Sequence, residues 1–164
     1  MSDARPVKRI EESRSTTSIL MSPQDANSLG NVHGGVIMKM VDEAGALAAI
    51  RHANRPCVTV AVDSMTFMLP IRVGDLVTCR AELTYVGNTS MEVSVEVMAE
   101  TLLTGEARLT NTAYLVYVAL DPEGRKTTVP ALEYVGEDQV LRARQAVDRQ
   151  EFRKRQREHE KRSP

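Results

Sequence analysis

From Val36 to His52 the run VIMKMVDEAGALAAIRH has apolar residues at steps of three and four, with good helix formers between them. This spacing predicts one long helix, ended by Asn54-Arg55-Pro56. Before it lie a short strand, Thr16 to Met21, and a turn-rich stretch from Ser22 to Gly35. From Cys57 to Leu120 the period changes to two. Val58, Val60 and Val62 alternate with smaller or polar residues, and the apolar phase then moves to Met65, Phe67 and Leu69, which predicts a bulge near Asp63-Ser64. Turns at Pro70 to Gly74, Gly87-Asn88 and Leu103 to Gly105 separate further alternating runs at Val77 to Tyr85, Met91 to Val97 and Ala107 to Leu120. The expectation is an α+β chain: a strand, a helix, then four strands in an antiparallel meander with one wet face.

The ends differ from the middle. Residues 1–14 are polar without periodicity and are expected to be a flexible lead-in to a domain at 15–132. Residues 133–164 are expected to be a charged helical tail. Between Glu137 and Arg162 the tail has nine Lys/Arg and six Asp/Glu, and Val140, Ala143 and Val147 form a short apolar stripe expected to dock it on the body.

Composition narrows the function classes. The chain has 164 residues, room for one domain, and 21 Lys+Arg against 22 Asp+Glu give a net charge of -1, so nothing suggests nucleic acid as the main partner. Cys57 and Cys79 are too far apart for a C-x-x-C motif, and no apolar run reaches a membrane-spanning length. A cytoplasmic protein without metal or membrane insertion is expected.

Two anomalies carry candidate chemistry. On the helix, Gly35, Met38, Asp42, Gly45, Ala46 and Ala49 share a face, so Asp42 is an acid within an apolar, small-residue stripe. Such a carboxylate is costly unless hydrogen-bonded or functional; it is either a general base or a group at a loop or wet interface. Glu43 points elsewhere and can pair with Lys39. In the loop, Gly30, Gly34 and Gly35 let the backbone turn sharply into the helix, whose first amides can stabilise an oxyanion. A plain loop-to-helix turn reads equally well, and neither G-x-G-x-x-G nor P-loop spacing is present. His33 lacks a Ser-His-Asp or Cys-His setting and reads as loop-orienting.

The runs Asp25-Ala26-Asn27, Gly30-Asn31-Val32-His33-Gly34-Gly35, Met38-Lys39 and Met40-Val41-Asp42-Glu43 closely resemble the acyl-CoA hydrolases of the hotdog-fold superfamily, which include the YciA-like and brain-type cytosolic enzymes. Met65-Thr66-Phe67, Val73-Gly74-Asp75, Gly87-Asn88-Thr89-Ser90-Met91 and Tyr117 to Gly124 extend the resemblance over residues 15–132. It implies a hotdog fold, a sheet of about five strands around the helix, and thioester hydrolysis of acyl-CoA. It implies Asp42 as the catalytic carboxylate, Asn27 as its assistant, and Gly34 or Gly35 as donor of the amide that polarises the carbonyl. Expected substrate and CoA contacts are His33, Asn88, Thr89, Ser90, Arg55, Arg72 and Arg142, with Arg144 and Arg149 as further tail candidates. No cofactor is expected, because CoA is itself the leaving group.

Helix geometry adds an assembly argument. Gly34 and Asp42 are eight residues apart, about 12 Å along a helix, whereas both must approach one reacting carbonyl. Two antiparallel helices about a two-fold axis bring the Gly34 end of one beside Asp42 of the other, with Gly45, Ala46 and Ala49 allowing close approach. A homo-oligomer with shared sites is expected, and the resemblance extends it to a trimer of dimers. The alternatives are a non-catalytic acyl-CoA-binding module and an acyl-CoA hydratase. Release of free thiol separates hydrolysis from both.

Overall fold

Five antiparallel strands curve around one helix in the computed structural model, which describes residues 5–162. The helix, α1 (Gly34–Ala53), is capped by His33 and stopped by Asn54 in the left-handed conformation (φ 51°), whose amide bonds back to Ile50 O. In chain order the short β1 (Val7–Arg9) precedes β2 (Ser15–Leu20); β3 (Cys57–Phe67), β4 (Asp75–Val86), β5 (Ser90–Thr101) and β6 (Glu106–Ala119) follow the helix. The sheet order β2-β4-β5-β6-β3 leaves β2 and β3 as edges.

The inner face buries the alternate apolar positions that period two marked. Val77, Cys79 and Leu83 of β4, Val93, Val95 and Val97 of β5, and Leu115 and Tyr117 of β6 are buried against Ile37, Val41, Ala44 and Ala48 of α1. Alanine on the helix lets sheet and helix approach closely. Gly45 and Ala49 belong to this buried surface, so two of the three small residues expected to meet a second helix pack on the chain's own sheet, while Ala46 is half-buried. The exposed side of α1 carries Met38, Leu47 and Ile50. Small residues mark close approach without naming the partner.

In β3 the register with β6 shifts between Thr59 and Ala61 and again between Val62 and Ser64, the second at the predicted bulge. On this edge strand Val58, Val60 and Val62 are all exposed.

Three other expectations change. Residues 7–12, expected to be flexible, form β1, which pairs in parallel with β7 (Ala131–Glu133), and a 3-10 turn that buries Ile10. One apolar side chain and main-chain pairing anchor a segment that has no periodicity to read; residues 1–4 of the lead-in lie outside the described residues. The tail helix α2 (Glu137–Arg162) packs on the outer face of β4. Its docking face is largely ionic: of the expected apolar stripe Ala143 and Val147 are half-buried, whereas Val140 is not. Arg142 pairs with Glu82, Arg149 with Glu92 at 2.7 Å, and Arg153 with Asp63 and Glu92, while Ala146 is buried and Val140 is exposed. Arg149 also stacks 3.8 Å over the Tyr114 ring. Glu92 is therefore only 2% exposed on a face expected to be wet.

Candidate active site

Asp42 sits half-buried in the middle of α1, and two hydroxyls from the sheet converge on it. Thr59 and Tyr117 are direct cross-strand partners on β3 and β6, so both side chains point to the same side of the sheet. Thr59 Oγ1 donates to Asp42 Oδ1 at 2.6 Å. The Tyr117 hydroxyl lies 2.9 Å from the Asp42 main-chain carbonyl and 3.2 Å from Oδ1. Among the described residues none donates to Oδ2. One carboxylate oxygen is clamped and the other is free to meet water or substrate. Glu43, exposed, pairs with Lys39 at 3.7 Å and takes no part.

The loop before α1 is built by its own polar groups. Asn27 Oδ1 accepts from the amides of Leu29 (2.9 Å) and Asn31 (3.3 Å), and Gly30 takes φ 80°, a conformation that suits glycine. His33 Nδ1 accepts from the Gly35 amide at 2.9 Å, so His33 is the helix cap and the Gly35 N–H is occupied. The Gly34 amide, by contrast, donates to no described group. Asn27 and Gly34 line one cavity of about 350 Å³ with Ile37, Phe67, Pro70 and Asn111. Asp42 does not line it, as the eight-residue separation along one helix requires.

The other expected contacts are scattered. Arg55, Arg72, Asn88 and Arg144 are exposed, while Arg142 and Arg149 are held by Glu82 and Glu92. Thr89 and Ser90 line a cleft of about 250 Å³ together with Lys126, Lys154 and Arg157. Val60 and Ala61 line it too, so β3 runs from the Thr59 clamp into this cationic cleft. Thr59, Tyr117 and these three cations were not singled out in the sequence. The alternation left Thr59 among the polar positions of its strand, so no local signal pointed to it, and Tyr117 read as one apolar position of the last strand. Among the described residues no three His, Cys, Asp or Glu side chains group as metal ligands would, and no helix is long and apolar enough to cross a membrane.

Comparison with known proteins completes the picture. The thioesterase superfamily model matches residues 29–106. An uncharacterized acyl-CoA thioester hydrolase of Bacillus subtilis, YkhA, is 36% identical over 91% of this chain and 87% of the relative. The chain belongs to the acyl-CoA thioester hydrolases. Among solved structures, an acyl-CoA hydrolase from Staphylococcus aureus in complex with butyryl-CoA and CoA is 33% identical, covers 95% of both chains and has a TM-score of 0.87. The same hydrolase has been solved with an asparagine, an aspartate or a threonine replaced by alanine. A hexameric acyl-CoA thioesterase is 38% identical, with a TM-score of 0.88 over 92% of this chain and 97% of that one. The sheet wrapped around α1 is thus the hotdog fold, and the reaction of this enzyme is hydrolysis of the thioester of acyl-CoA.

Proposed function

We propose that Asp42 is the catalytic carboxylate of this acyl-CoA thioester hydrolase, acting through its free Oδ2 while Thr59 and Tyr117 hold Oδ1. That asymmetry of the two oxygens is the observation that carries the assignment. Water attacks the thioester carbonyl carbon and gives its proton to Oδ2. The Gly34 amide and the positive end of α1 stabilise the oxyanion that forms, and Asn27 orients the water or the carbonyl. The tetrahedral intermediate then expels CoA as thiolate, which recovers the proton from Asp42, so the step needs no cofactor. In the Staphylococcus hydrolase the replaced asparagine, aspartate and threonine are fifteen and then seventeen residues apart, the spacing of Asn27, Asp42 and Thr59. That likeness supports the same trio here.

Gly34 and Asp42 lie too far apart on one helix for a common carbonyl, so the working site takes Gly34 and Asn27 from one protomer and Asp42 from another. The exposed Val58, Val60 and Val62 on edge strand β3 provide a surface for such a partner. A trimer of dimers is the assembly proposed, in keeping with the hexameric relative. We further infer that the CoA phosphates lie at Thr89 and Ser90 with Lys126, Lys154 and Arg157, which line one cleft. The two free cysteines fit a reducing cytosol as the place of action.

Thiol release from a panel of acyl-CoA chain lengths tests the reading, with Asp42→Asn as the comparison. Loss of at least about a hundredfold in turnover is expected, at the low end for a general base. A folded Asp42→Asn protein with normal turnover overturns it.

A further inference from the structure

We infer that Tyr117 is a positioning residue for the reaction, holding the Asp42 segment of α1 and its carboxylate in register through a contact that Gly45 alone makes possible. The inference rests on the assignment of Asp42 made above. Tyr117 is fully buried, and its hydroxyl meets Asp42 at two atoms, the main-chain carbonyl at 2.9 Å and Oδ1 at 3.2 Å. The carbonyl of a mid-helix residue already accepts from the amide four residues on, so a second donor there is an addition that the helix does not need. Two residues further along, Ser15 of β2 makes the same kind of bond to Ala44 O at 2.7 Å. The sheet therefore fastens the turn that carries Asp42 from two sides.

Gly45 is the counterpart of Tyr117. A β-carbon at residue 45 would overlap the Tyr117 hydroxyl and stand 3.1 Å from two ring carbons, so any other residue displaces the ring or the helix. Glycine inside a helix costs about 1 kcal/mol relative to alanine, and here it opens the path by which the hydroxyl reaches Asp42. Burial, and then the adjacent carboxylate, push the Tyr117 hydroxyl well above its ordinary pKa, so it stays protonated and remains a donor wherever the enzyme is folded. Thr59 supplies the second clamp on Oδ1, and the pair leaves Oδ2 as the oxygen presented for chemistry.

Three variants of the full-length enzyme test this: Tyr117→Phe, Gly45→Ala and the double substitution, assayed by thiol release beside Asp42→Asn. Tyr117→Phe is expected to lower kcat about tenfold with KM within about twofold, because substrate binding does not use the hydroxyl. Gly45→Ala is expected to lower kcat similarly in the parent. Added to Tyr117→Phe it should cost much less than alone, since the atom it overlaps is gone. Normal kcat in Tyr117→Phe, with Asp42→Asn inactive, overturns the inference and spares the Asp42 assignment. Activity in Asp42→Asn overturns that assignment itself. Should Tyr117→Phe fail to fold, Gly45→Ala decides: normal kcat in it is a contradiction.

Discussion

Thr59 Oγ1 donates to Asp42 Oδ1 at 2.6 Å, joining the edge strand β3 to the middle of α1. A hydrogen bond to a charged group is worth about 1.5–3 kcal/mol, and this one fixes a single carboxylate rotamer. Thr59→Val, which keeps the shape and removes the donor, should lower kcat about tenfold or more with KM little changed. Thr59→Ser should retain most activity. Steady-state kinetics on the two variants check this.

Gly34 is the first helical residue, and the preceding His33 is extended (φ -65°, ψ 131°), a backbone that accepts a following proline. Proline there removes only the N–H and suits the helix start. A β-carbon at residue 34 meets the Phe67 ring at an ordinary 3.4 Å. Gly34→Pro should therefore fold with unchanged thermal stability and lose about a hundredfold in kcat, the usual cost of one oxyanion donor. Circular dichroism melting and thiol release together check it.

Much of this was legible beforehand, and the rest was hidden for physical reasons. Helical spacing marked α1 and set Asp42 apart, and the shift of apolar phase located the second bulge of β3. Gly45 was visible too, but its meaning was not: a small residue shows that something comes close, and only the fold shows that Tyr117 does. Thr59 looked like one more polar position in a strand, because a cross-strand pair is a property of register. The tail's Arg142 and Arg149 read as candidate CoA contacts. Their partners Glu82 and Glu92 lie about fifty to sixty residues earlier, where no local pattern reaches. β1 has three residues and pairs with an equally short strand at the far end of the domain.

The cleft beside Thr89 and Ser90 yields a binding prediction. Lys154→Ala with Arg157→Ala should raise KM for acyl-CoA about tenfold at low salt and leave kcat unchanged, and the difference should shrink in 0.5 M salt as screening removes it. Kinetics at two ionic strengths measure both effects.

His52 is fully buried, with Nε2 2.9 Å from Pro130 O and no partner at Nδ1 among the described residues. Burial holds its pKa below the ordinary value, so it folds neutral, and the unfolded chain binds the extra proton. Its contribution to stability is complete above about pH 6.5, the unfolded value, and declines as pH falls through the window below it. Urea midpoints should fall from pH 7 to pH 5, and His52→Gln should flatten that slope.

The central claim is that one working site draws Gly34 from one protomer and Asp42 from another. It is tested most directly by co-expressing two inactive variants, Gly34→Pro and Asp42→Asn, and measuring thiol release from the mixed oligomers. In a mixed dimer one of the two sites receives an intact Gly34 and an intact Asp42, so random pairing predicts recovery of about a quarter of the parent activity. Mixed dimers verified by native mass spectrometry that stay as inactive as either variant alone would contradict the shared site.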